Sequence, residues 1–142
     1  MTWVVDASVA VKWFVREESR TDALRLLDWG EDLCAPDLIV TEVAGIAWKK
    51  CIRGEIERNQ ATFIAAAIGG YLGTLHSSVG LIEQALQIAL HLNYSIYDCL
   101  YLACAEDVNG IVVTADRKLW NRVQGTALED RVEVLANLEN RP

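Results

Sequence analysis

Trp3-Val4-Val5 is an unbroken apolar run that ends on Asp6, Ala7 and Ser8, after which apolar residues return as Val9, Val11, Trp13 and Phe14. So short a run, closed by a turn, predicts a strand buried on both faces, with a carboxylate at the strand-to-helix turn. Helical spacing follows over 19–29, through Ala23, Leu24, Leu26 and Leu27, and stops at Gly30. Residues 33–35 form a second short strand before Pro36. A long helix runs over 37–53 to Gly54, and another over 55–71 frays at Gly69-Gly70. Residues 75–79 are a candidate third strand, 81–92 an amphipathic helix, and 95–108 a helix stopped by Asn109-Gly110. Residues 111–114 repeat the first pattern, a buried strand followed by Asp116, with a short helix over 117–123 and an edge strand at 132–134. Strands alternating with helices predict an α/β fold with a parallel sheet and right-handed crossovers. There is no internal repeat or linker, so residues 1–142 read as one domain.

Composition narrows this further. A chain of 142 residues with 52% apolar and 23% charged residues supports one sizeable core. The longest nearly uncharged run, 61–78, is interrupted by glycines and is too broken to span a bilayer. The apolar start is broken by Asp6 and Lys12, so no secretory leader is expected. Cys34, Cys51, Cys99 and Cys104 contain no Cys-x-x-Cys pair; they read as small core residues, without a zinc site, in a reducing cytoplasm. The net charge of −7 lacks the basic footprint usual for nucleic-acid binding. An acidic site filled with divalent cations nevertheless presents positive charge to phosphate.

Four acids stand out. Glu42 lies mid-helix, and its i−4, i+3 and i+4 neighbours are Leu38, Gly45 and Ile46, on a face that a helix normally buries. The alternative is a surface pair with Lys49. Asp98 fits a capping box with Ser95, yet it also begins the apolar face of Tyr101 and Leu102. Asp6 and Asp116 each follow a buried strand, where helix capping is the alternative role. Two strand-tip aspartates in a parallel sheet meet at a topological switch point. Carboxylates converging there repel unless a cation joins them, and an oxygen-only donor set suits magnesium, or manganese, better than zinc. Ser8 and Thr114 are candidates to orient such ligands, with turn stabilisation as the other role. Lys12, Arg117 and Lys118 are candidate phosphate contacts, with plain surface charge as the alternative.

The chain resembles PIN-domain proteins, specifically the VapC-type ribonuclease toxins of prokaryotic toxin–antitoxin pairs. The resemblance rests on Val5-Asp6-Ala7-Ser8-Val9-Ala10, on Pro36-Asp37-Leu38 leading to Glu42-Val43-Ala44, on Tyr97-Asp98-Cys99-Leu100-Tyr101-Leu102-Ala103, and on Thr114-Ala115-Asp116-Arg117-Lys118-Leu119. These stretches occur in family order and span nearly the whole chain; residues 55–92 match in helical character alone. The resemblance implies a five-stranded parallel sheet flanked by helices. It implies Asp6, Glu42, Asp98 and Asp116 as the acidic active-site positions for magnesium-dependent hydrolysis of RNA. It also implies a homodimer and a small antitoxin partner whose tail covers the cleft. One departure is Gly45, where the family often has an asparagine. The competing expectation is a non-catalytic PIN-fold module that binds RNA or protein. There is no glycine-rich phosphate loop, no Gly-x-Ser-x-Gly elbow, and neither His76 nor His91 falls in a motif.

Overall fold

A computed structural model describes residues 1–140, with side chains through residue 138. Five parallel strands, β1 (Thr2–Val5), β2 (Asp32–Pro36), β3 (Thr74–His76), β4 (Ile111–Thr114) and β5 (Val132–Val134), form one sheet in the order β3-β2-β1-β4-β5. β1 is central, and Trp3, Val4 and Val5 are fully buried, as a strand covered on both faces must be. Each such side chain contributes about 1.5–3 kcal/mol when withdrawn from water.

The helices are α1 (Ala7–Ala10), α2 (Arg20–Asp28), α3 (Leu38–Ile52), α4 (Arg58–Ala67), α5 (Ser78–Leu92), α6 (Ile96–Val108) and α7 (Arg117–Val123). Right-handed crossovers place α1–α4 on one face and α5–α7 on the other. The strand register agrees. Trp3 packs its ring against Trp29, at the end of α2, while Val4 and its partner Cys34 share the opposite face, against α6. α6 is buried continuously from Cys99 to Ala105 and packs against β1, β2 and β4, with α5 lying outside it. A helix apolar on nearly all sides belongs in such a place.

The differences from the sequence expectations have local causes. The helix expected over 55–71 is α4 followed by a short 3-10 segment (Ile68–Tyr71), because Gly69-Gly70 tightens the chain. The third strand is Thr74–His76 rather than 75–79, since a helix begins at Ser78, with the Ser77 carbonyl accepting from Gly80 N–H at 3.1 Å. Asp37 opens α3 by position, but its carboxylate accepts from the Ser78 N–H at 3.1 Å and from the Ser78 hydroxyl, so it fastens α5 instead. α6 ends as expected: Asn109 takes the left-handed conformation, and Gly110 N–H donates to Ala105 O at 2.8 Å. A Cβ on Gly110 would lie 2.5 Å from Thr2 O, so only glycine fits beside β1.

Candidate active site

From β1 the chain steps outward to β2 and β3, then returns across β1 to β4. The switch point therefore lies between β1 and β4, and the residues that follow these two strands meet there. Asp6 extends the ladder, its N–H donating to Val113 O at 3.1 Å, while its carbonyl accepts from Val9 and Ala10 to start α1. The nearby Ala7 and Ser8 N–H groups favour its anion. The carboxylate accepts from Thr114 Oγ1 at 2.8 Å and Ser8 Oγ at 3.0 Å, and Ser8 Oγ in turn accepts from Ala115 N–H at 3.1 Å. Ser8 and Thr114 are thus both turn and orienting residues. Burial raises the Asp6 pKa, outweighing these hydrogen bonds, which favour the anion.

Glu42 points inward from α3 and does not pair with Lys49. Tyr101, from α6, donates its hydroxyl to Glu42 Oε1 at 2.6 Å. Burial raises the Glu42 pKa, the Tyr101 bond opposes this, and the charges of Asp6 and Asp98 add to it. The phenol of Tyr101 is itself pushed up by burial, then by Asp6 and Glu42, so it remains a donor.

Asp98 stands in the first turn of α6. Ser95 caps that helix, accepting from Tyr97 N–H at 3.2 Å, and among the described residues no bond returns from Asp98 to Ser95. The Asp98 carboxyl is pushed up to about 6 by burial, then by Asp6 and Asp116, with Lys118 opposing. Asp116 has two roles: its Oδ1 caps α7 by accepting from Lys118 N–H at 2.9 Å, and its charge reaches Asp98. The four acids are therefore linked electrostatically, with Asp6 and Asp98 acting on Glu42, and Asp6 and Asp116 on Asp98. Among the described residues, no three of these carboxylates bring oxygens within 4.8 Å of one another. Such an all-oxygen set, spaced apart and charged alike, fits a hydrated magnesium or manganese ion better than a closed cage.

The basic candidates separate. Arg117 is exposed and lines the groove beside Asp116 and Ser8. Lys12 borders the same groove but is buried, ion-paired with Glu17 at 3.1 Å and donating to Glu18 O at 2.8 Å. Its ammonium is therefore engaged within the protein, by Glu17 and the Glu18 carbonyl. A second groove, lined by Tyr94, Lys118, Asn121 and Arg122, is not legible as a whole in the sequence. Arg122 lies 5.0 Å over the Tyr94 ring, a pairing that no local spacing announces. Tyr101 also escapes the sequence reading as a site residue, although its i+3 relation to Asp98 is a signal that could have found it. One grouping of the cysteines is not legible from their spacing: Cys34, His76 and Cys104 bring their ligand atoms within 4.8 Å of one another.

The sequence pattern of the PIN domain matches residues 3–125. The chain is 32% identical over 121 residues to Ribonuclease VapC3 of Pyrobaculum aerophilum, covering 84% of this chain and 92% of that protein. Its fold is similar to the crystal structure of PAE2754 from Pyrobaculum aerophilum, with a TM-score of 0.72, 19% identity, and 97% and 86% of the two chains covered. It is also similar to VapBC2 from Rickettsia felis bound to a DNA fragment from their promoter, with a TM-score of 0.64, 13% identity, and 94% and 98% covered. With four acids gathered at the switch point of a five-stranded parallel sheet, and a family match over most of its length, the chain belongs to the PIN domain family.

Proposed function

We propose that this protein is a magnesium-dependent endoribonuclease, the toxin of a VapBC-type pair held in check by a small antitoxin. The observation that carries the proposal is the convergence of Asp6, Glu42, Asp98 and Asp116, from four separate segments, close enough that Asp6 and Asp98 disfavour ionisation of Glu42, and Asp6 and Asp116 that of Asp98. The similarity to a protein named as a VapC ribonuclease supports the same reaction class. The similarity to a VapBC fold is in keeping with an antitoxin partner.

Asp6 and Asp116, at the ends of rigid strands, would hold the cation directly, with Glu42 and Asp98 completing the set. When bound, magnesium lowers the pKa of water and stabilises charge on phosphoryl oxygens. Thr114 and Ser8 keep the Asp6 carboxylate aimed into the cleft. Tyr101 holds Glu42 in one orientation, leaving its second oxygen available. Arg117 on one side and Lys118 and Arg122 on the other would take the backbone phosphates of an RNA, and the Tyr94 ring would offer a surface for a base.

The test is cleavage of a pool of structured RNAs by antitoxin-free protein, with magnesium, with EDTA, and as Asp6→Asn. Cutting should require magnesium and disappear in the variant. Equal behaviour of all three folded samples would favour a non-catalytic PIN module.

A further inference from the structure

Cys34 sits in mid β2, His76 at the end of β3 and Cys104 on α6, so three separate elements deliver two thiols and an imidazole to one point. The register explains the meeting. Pro36 pairs with His76, and Cys34 lies two residues before Pro36, so Cys34 and His76 project from the same face of the sheet. That is the face α6 covers, and Cys104 comes down on it. The three ligand atoms lie within 4.8 Å of one another; Cys34 and Cys104 are buried and His76 is half-buried.

We propose that Cys34, His76 and Cys104 form a second metal site, for zinc, chemically distinct from the carboxylate cluster. Zinc takes thiolate and imidazole ligands in a tetrahedron with bonds of about 2.0–2.3 Å, which puts the donors roughly 3.5–3.8 Å apart. Closing the present separations, at most 4.8 Å, to that figure would need movements of about 1 Å. Water would supply the fourth ligand, entering from the His76 side, where the edge strand β3 is exposed. Zinc binds the deprotonated thiols, so its binding would release their protons. Soft sulfur ligands also exclude magnesium, so the two sites would not compete for one ion.

The site would fasten the edge strand to β2 and to α6. Cys104 follows Asp98 by six residues, about 9 Å along the helix at 1.5 Å per residue. A metal here would therefore brace the helix that presents Asp98 and Tyr101 while lying outside their cleft.

Reduced full-length protein, stripped with chelator and then saturated with magnesium, is titrated with cobalt(II). The site predicts one equivalent per chain with intense thiolate-to-cobalt absorption in the near ultraviolet, tetrahedral bands in the visible, and loss of both on adding zinc. His76→Gln and Cys34→Ser should each weaken cobalt binding at least tenfold. Zinc should raise the melting temperature of the wild-type protein but not of His76→Gln. Cobalt bound with only the weak spectrum of octahedral oxygen ligation would overturn the proposal. So would unchanged thiolate bands in folded His76→Gln. Because the wild-type spectrum decides by itself, a variant that fails to fold leaves the test intact, and no arm depends on RNA cleavage.

Discussion

At Asp98, burial and the charges of Asp6 and Asp116 act in the same direction, and the carboxyl titrates at about 6 instead of the ordinary 3.8. The consequence for stability follows from linkage. A folded-state pKa above the unfolded value means that the folded form binds the proton more tightly, so the contribution is full below about pH 4 and is lost as pH rises through about 6. Asp6 and Glu42 are raised as well and add in the same sense. Metal-free protein should therefore melt at higher temperature at pH 5 than at pH 7.5. Asp98→Asn should stabilise the metal-free form at pH 7.5 by about 1–2 kcal/mol, after discounting for its partial exposure, and flatten the pH profile. A melting series in EDTA checks both. Tyr101 offers a second test. Tyr101→Phe removes the bond that orients Glu42 and should lower kcat/KM about tenfold and cost about 1.5–3 kcal/mol of stability at neutral pH, which steady-state kinetics beside thermal melts will show.

At the scale of elements, two glycines of opposite character test how helices and strands are fitted. Gly110 closes α6 against β1, and a Cβ there meets Thr2 O at 2.5 Å. Gly110→Ala should cost about 2–3 kcal/mol, because backbone must move to admit it. Gly45 lies within α3, and a methyl group on it would meet nothing within 4 Å. Gly45→Ala should therefore stabilise the protein by about 0.5–1 kcal/mol through helix propensity alone. Denaturant unfolding of the two variants should give shifts of opposite sign.

Over the whole molecule, a net charge of −7 is compatible with the proposed RNA substrate through locality. Lys118 and Arg122 line one groove and Arg117 the other, at the rim of the acidic cleft. Arg122→Ala should weaken RNA binding uniformly across sequences and reduce the salt dependence of affinity by about one ion, with the fold intact. Filter binding of RNA by the Asp6→Asn background at several salt concentrations measures this.

The order of strands and helices, the buried core strand, the C-terminal stop of α6 and the four acids were legible in the sequence, because each depends on a local pattern: an apolar run, a helical period, or a polar residue on an apolar face. The breaks at Gly69-Gly70 and Ser77 were blurred, since local signals mark the existence of an element more firmly than its ends. Tertiary structure alone decided what lies across from what. It gave Glu42 a tyrosine instead of a lysine, tied Lys12 to Glu17, set Asp37 on α5, and brought a strand cysteine, an edge-strand histidine and a helix cysteine to one point. Those pairings join residues from 5 to 70 positions apart (Lys12 to Glu17, and Cys34 to Cys104) and arise only when strand register and helix docking fix both partners in space.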